Sequence, residues 1–214
     1  LEDADNAVPQ RLKSRKTPVQ ARSGATVDAI RQAATQVLLA VGPAKLTTTL
    51  VAERAGVSVG TLYQYFPNRE ALFYAVLHDH FEEMASALES VRSDPRKTRC
   101  DDVAEAVADA YVSVKMQCPT TTGLLYRVAG VIDQSRLPID IYARLQAAVT
   151  DAVRQITDAA FADPERAAFT LLAALAGLSR ASFGSAASRP EVLDRLPEEA
   201  RRLARAYLLA ASKC

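Results

Sequence analysis

The stretch Thr47-Thr48-Thr49-Leu50-Val51-Ala52-Glu53-Arg54-Ala55-Gly56-Val57-Ser58-Val59-Gly60-Thr61-Leu62-Tyr63-Gln64-Tyr65-Phe66 constrains this chain more than any other. Leu50, Val51, Ala52 and Ala55 give a short helix an apolar face, and the Thr47–Thr49 run offers hydroxyls to cap its start. Gly56 stands where that helix must stop and the chain must turn, a place for a residue that tolerates positive φ. Ser58 can then cap a second helix by accepting an orphan backbone N–H. Val59, Leu62 and Phe66, three and four apart, are expected to pack inward, and Val57 is read as core beside them. Thr61, Tyr63, Gln64 and Tyr65 are left facing outward or sideways. A face of hydroxyls and an amide does little for folding and suits phosphates and base edges. Two short helices about a tight turn, the second with a polar face, have the layout of a helix-turn-helix.

The flanks fit that layout. Val27, Ile30, Ala34, Val37, Leu38 and Val41 recur at helical spacing up to Gly42-Pro43, a stop signal. After Pro67, Asn68 can cap a long helix that carries Glu70 in its first turn, near the positive end of the dipole. Three helices of this kind make a minimal DNA-binding domain; the fourth is too long to belong to it alone.

Ala55-Gly56-Val57-Ser58, then Gly60-Thr61-Leu62-Tyr63-Gln64-Tyr65-Phe66, then Pro67-Asn68-Arg69-Glu70-Ala71-Leu72 resemble the N-terminal domain of the TetR-type (tetracycline-repressor-like) bacterial regulators. The resemblance covers roughly residues 22 to 78, longer than a generic helix-turn-helix pattern. It implies phosphate contacts from Thr26, Thr47, Thr48, Tyr63, Gln64 and Arg69, and base or groove contacts from Ser58, Val59, Gly60, Thr61 and Tyr65. For Tyr63 and Tyr65 the alternative is packing on the first helix with the hydroxyl at the surface. Gln64-Tyr65 departs from a family pair that often includes histidine, and Arg69 stands where lysine is common. Both departures keep phosphate-binding capacity and leave the operator sequence open.

A formal charge of +1 hides an uneven distribution. Residues 11–80 hold nine bases and four acids, and the whole excess of five comes from Arg11, Lys13, Arg15, Lys16 and Arg22. This is the electrostatic footprint of a phosphate binder. Residues 1–21 read as a flexible basic arm, able to follow the DNA backbone or enter a minor groove, or else as a solvated tail. Residues 22–68 read as the DNA-binding domain and 69–214 as a helical effector-binding and dimerisation domain. The opening residues do not read as a signal peptide, no run is expected to span a membrane, and a cytoplasmic protein is the expectation. Cys100, Cys118 and Cys214 form an odd, widely spaced set, read as packing or surface residues.

Beyond Asn68 the periodicity predicts only helices, nine in all, and an all-α fold. Leu77, Phe81, Met84 and Leu88 share a face of the fourth, and Val103, Val107, Ala110, Tyr111 and Val114 mark the fifth. Thr120 to Thr122 are read as capping a sixth that carries Leu124, Leu125, Val128 and Ile132. Pro138 opens a seventh with Ile141, Leu145, Val149, Ala152 and Ile156, and two more follow Pro164 and Pro190. The last two are rich in alanine and leucine: Ala174, Leu175, Gly177 and Leu178 on one, Leu203, Ala204, Tyr207 and Leu208 on the other. In the resembled family such helices pair with a second subunit, so a homodimer is implied; an intramolecular core is the alternative for any one residue. The family also implies an effector site. Phe81, Met84, Leu88, Tyr111, Tyr126, Tyr142 and Phe169 are its candidate lining, with ordinary core as the alternative, and their character suggests a hydrophobic or aromatic small molecule.

No catalytic pattern appears. His78 and His80, two apart on a helix, diverge too far to share a metal, and Asp101-Asp102 is read as a helix-start cap. Neither a cofactor nor an enzyme activity is expected. The expectation is a dimeric, ligand-responsive DNA-binding regulator, most simply a repressor; a DNA-binding architectural protein without an effector and an unrelated helical interaction module are the alternatives.

Overall fold

Where the turns were expected, the backbone turns. The computed structural model describes residues 21–92, 98–129, 139–186 and 189–212, and among them all regular structure is helical. The helices are α1 (Ala21–Val41), α2 (Thr48–Ala55), α3 (Val59–Tyr65), α4 (Arg69–Arg92), α5 (Cys100–Gln117), α6 (Pro119–Ala129), α7 (Ile139–Arg154), α8 (Pro164–Ser185) and α9 (Glu191–Ala211). The chain divides into two compact units. One takes in the described residues of Leu1–Asp79 and Gly123–Ile139, the other those of His80–Thr122 and Asp140–Cys214. Apart from Ala21, the expected arm lies outside the described residues, as do Ile132, Pro138 and Cys214.

In the first unit, α1 ends at Gly42, whose φ of 76° is open to glycine and whose N–H bonds the Leu38 carbonyl at 2.9 Å. Val27, Ile30, Ala34, Val37 and Leu38 are buried, with Leu46, Val51, Ala52, Leu62, Phe66, Leu72 and Phe73 completing this core. Arg31 of α1 pairs with Asp79 of α4 at 2.9 Å. Four apolar residues of the expected core lie elsewhere, Val59 of α3 among them. Val41 and Leu50 are exposed and Val57 is only half-buried, because each sits on the terminal turn of a helix or in the connecting loop, where no neighbour covers it.

In the second unit α5 packs against α9 and α8, and α8 against α9. Leu196, Ala200, Ala204 and Leu208, spaced by four, form the buried stripe of α9, and its two alanines allow close approach. Arg201 to Asp109 at 2.6 Å and Arg205 to Glu105 at 2.9 Å fix the register of α9 on α5. Arg144 of α7 holds Glu82 and Glu89 of α4 at 2.7 and 3.0 Å. Ile156 is buried but lies past the end of α7.

Two helix starts differ from expectation. Asp101 and Asp102 lie within the first turn of α5, favourable to its dipole, and do not cap it. The N-cap position is Arg99, and the Cys100 N–H is satisfied by Asp158 Oδ1 at 2.7 Å, from a loop 58 residues away. The threonines 120 to 122 likewise fall inside α6, which opens on Pro119. Thr122 Oγ1 donates back to the Lys115 carbonyl at 2.8 Å, tying α6 to the end of α5. Cys100 is buried and Cys118 exposed, both free thiols; burial raises the pKa of the first, and a hydrogen bond from Thr121 lowers that of the second.

Contrary to the composition reading, α8 is long and apolar enough to cross a membrane by length and composition. Its Ala167, Ala168, Leu171, Leu175 and Phe183 are nevertheless buried, on a helix that packs on α5 and α9. The side left open carries small residues and a phenylalanine.

Candidate nucleic-acid interface

A helix as short as α3 depends on what holds it, since seven residues are too few to persist alone. Its leading end is built by the preceding turn. Thr47 caps α2, its hydroxyl accepting the Leu50 N–H at 3.2 Å. Gly56 closes α2 in the left-handed region, φ 68° and ψ 28°, and the Val57 N–H returns to the Ala52 carbonyl at 3.0 Å. Ser58 then caps α3: its Oγ accepts the Thr61 N–H at 3.0 Å and lies 2.8 Å from Thr61 Oγ1. Phe66 ends the helix by bonding the Leu62 carbonyl at 2.8 Å, and Asn68 Oδ1 accepts the Ala71 N–H at 2.8 Å to start α4. A side chain at Gly56 would meet nothing within 4 Å, so Gly56→Ala costs backbone strain alone. A loss of about 1 kcal/mol in urea denaturation is expected, with Gly60→Ala, in helical backbone, as a control that does not destabilise.

Leu62 and Phe66 are the buried side of this segment. Val59, expected to join them, is 36 % exposed, because it is the first residue of α3 and faces out beside the cap. That places it with the polar residues. Tyr63 is 41 % exposed, Gln64 is exposed, and Thr61 and Tyr65 are half-buried. The Tyr63 hydroxyl lies 3.0 Å from Thr48 Oγ1, so the two sit as one hydrogen-bonded pair bridging α3 and α2. Ser58 and Gly60 are exposed, and nothing in the fold requires glycine at position 60. Thr47 is exposed; Thr26, Thr48 and Arg69 are half-buried, Arg69 with its guanidinium 5.6 Å above the Phe73 ring. Arg54, not anticipated, is exposed on α2 and donates to Gln36 Oε1 of α1 at 2.6 Å. Residues 23–80 carry four bases and four acids, so this part of the chain has no net formal charge.

The effector candidates are less uniform. Met84, Leu88 and Tyr111 are buried, Phe81 and Tyr126 half-buried, and Tyr142 exposed with its ring 5.3 Å from Phe81. Phe169 is 60 % exposed on α8 and does not join them. It begins a row on the open side of α8: Phe169, Ala173, Gly177, Ala181 and Gly184, all exposed. Ala206, Leu209 and Ala210 are exposed on α9, and Leu178, Glu199, Arg202, Leu203, Ala206 and Tyr207 line a shallow cleft of about 380 Å³ between the two helices. Among the described residues, no cluster of three or more histidines, cysteines or carboxylates is placed to hold a metal ion.

A family model for "Bacterial regulatory proteins, tetR family" matches residues 30–76, and one for "Tetracyclin repressor-like, C-terminal domain" matches residues 100–208. The chain belongs to the TetR family. This TetR-family protein is therefore a DNA-binding regulator and not an enzyme. Solved structures repeat the fold. A TetR-family transcriptional regulator of Mesorhizobium loti MAFF303099 is 23% identical, with TM-score 0.67, over 89% of this chain and 96% of that one. One from Streptomyces coelicolor is 24% identical, with TM-score 0.65, over 88% and 98%. SmeT, the repressor of the Stenotrophomonas maltophilia multidrug efflux pump SmeDEF, is 20% identical, with TM-score 0.59, over 86% and 88%, and is also solved as a complex with triclosan. No curated protein matches the chain.

Proposed function

We propose that this regulator is a homodimeric repressor that holds a palindromic operator and leaves it when a small hydrophobic effector binds. The observation that carries the DNA half is the outward polar face of α3, fixed by buried Leu62 and Phe66 and by caps at both ends. Thr61 and Gln64 are suited to base edges, and the Tyr63–Thr48 pair to one phosphate. One such helix reads too few base pairs, so two related by a two-fold axis multiply specificity. The exposed row on α8 and the apolar residues of α9 support a subunit interface there. α4 has residues in both units, which supports its role as the link between effector and DNA. An effector with higher affinity for the DNA-free conformation shifts the population away from the operator. SmeT, a repressor solved with a bound small molecule on the same fold, favours the ligand-responsive reading. The intracellular setting proposed is the cytoplasm, where the operator is.

Gel shifts on DNA flanking its own gene, run over a range of salt, test this reading. Thr61→Ala is expected to weaken operator binding about fivefold or more and to relax specificity. Tyr63→Phe should weaken operator and random DNA alike. No sequence-specific binding at any salt would remove the proposal.

A further inference from the structure

α4 belongs to both units: the first takes it up to Asp79 and the second from His80, within its unbroken run Arg69–Arg92. An arginine grips it on each side of that boundary. Arg31 of α1 pairs with Asp79 inside the first unit. Three residues on, inside the second, Glu82 is held by Arg144 of α7. The second grip is the more exacting. Arg144 Nη1 donates to both carboxylate oxygens of Glu82, at 2.8 and 2.7 Å. Its Nε and Nη2 donate to Glu89 at 3.0 to 3.1 Å. Glu82 and Glu89 are seven residues apart, so they share a face of α4 and stand about 10 Å apart along its axis. One planar fork therefore spans two turns. Sliding α4 by a single residue, about 1.5 Å, would move both carboxylates off their donors. Tyr142, two residues before Arg144, meets the Phe81 ring at 5.3 Å, an apolar contact without that directional demand. All three charged side chains are half-buried, so water and salt screen the grip, and it specifies position more than it adds stability.

Building on the homodimer proposed above, we infer that Arg144 is a positioning residue for operator binding: by fixing α4 against α7, it sets the half-site spacing that the regulator accepts. Two recognition helices on one palindrome must stand a fixed distance apart. Leu72 and Phe73 of α4 lie in the same core as Leu62 and Phe66, so the reading helix moves with α4. A loosened α4 lets the distance vary, which weakens binding at the matching spacing and raises tolerance of others.

The test measures binding of the full chain to its operator and to versions with the centre one base pair longer or shorter, a change of about 3.4 Å. The native protein is expected to bind the altered operators about tenfold or more weakly. Arg144→Met should lose about fivefold on the native operator and keep a spacing penalty of about threefold or less. That penalty is a ratio of affinities, so it does not move with the fraction of folded protein, and a merely structural role would leave it native. Arg144→Lys keeps the charge but not the fork and should restore part of the penalty. Glu82→Gln with Glu89→Gln removes the grip from the other side; it should reproduce Arg144→Met, and replaces it if that variant does not fold. A native spacing penalty in Arg144→Met or in the double glutamine variant, or an equal loss on all three operators, overturns the inference and leaves the dimeric reading standing. A native protein that binds a single half-site as tightly as the full operator would remove both.

Discussion

Replacing Leu62 with alanine is expected to destabilise the first unit by about 3 kcal/mol, within the range for emptying a buried leucine site. Leu62 is 0 % exposed and is the only buried residue within α3. The helix has too few turns to persist without it, and the caps at Ser58 and Phe66 fix its ends but not its seat. Operator affinity should therefore fall further than the global loss explains, because the polar face frays before the unit unfolds. Urea denaturation gives the first quantity and gel shift the second. Val59→Ala is the natural contrast. Val59 stands at the surface in the same helix, and its truncation should change stability by no more than about 0.5 kcal/mol. Equal costs at the two positions would mean that α3 is seated by something other than Leu62.

That contrast also marks what was legible in the sequence. The turn between α2 and α3 was readable because its chemistry is local: Thr47, Gly56 and Ser58 each satisfy or release backbone groups within three or four residues. Periodicity then found the face of each long helix, as with Ile30, Ala34 and Leu38 or Val103, Val107 and Tyr111. It failed at ends. Val41, Leu50 and Val59 obey the spacing, but spacing does not say whether a neighbour covers the first or last turn. It failed again where the partner is remote in sequence, since no local pattern announces that Asp158 takes up the N–H of Cys100. The burial of Lys115 was legible but passed over: a lysine four residues after Tyr111 and eight after Val107 shares their face, and a charge in an apolar stripe is the signal. Phe169 shows the remaining ambiguity. A phenylalanine on an alanine-rich helix reads the same whether its cover comes from this chain or from a second copy, and in the single chain it stands open.

Gly177→Glu decides which cover that is, and its expected effect on DNA binding exceeds that of Leu62→Ala. Gly177 is exposed in the middle of the row from Phe169 to Gly184, in ordinary helical backbone, and an added Cβ there meets nothing within 4 Å in the protomer. Glutamate also favours helix over glycine by a few tenths of a kcal/mol to about 1 kcal/mol, so the folded protomer should be no less stable. At a two-fold interface each substitution appears twice, burying two like charges against a face of alanine and glycine. The variant is therefore expected to elute as a monomer at micromolar concentration in light-scattering chromatography, with its helical content and monomer stability intact. Specific DNA affinity should then drop about a hundredfold or more, toward the level of random DNA, because one recognition helix is left to read half a site. The logic rests on the glycine being free of any role within the protomer. A Gly177→Glu protein that stays dimeric and binds its operator at native affinity would show that this face of α8 is not where two copies meet.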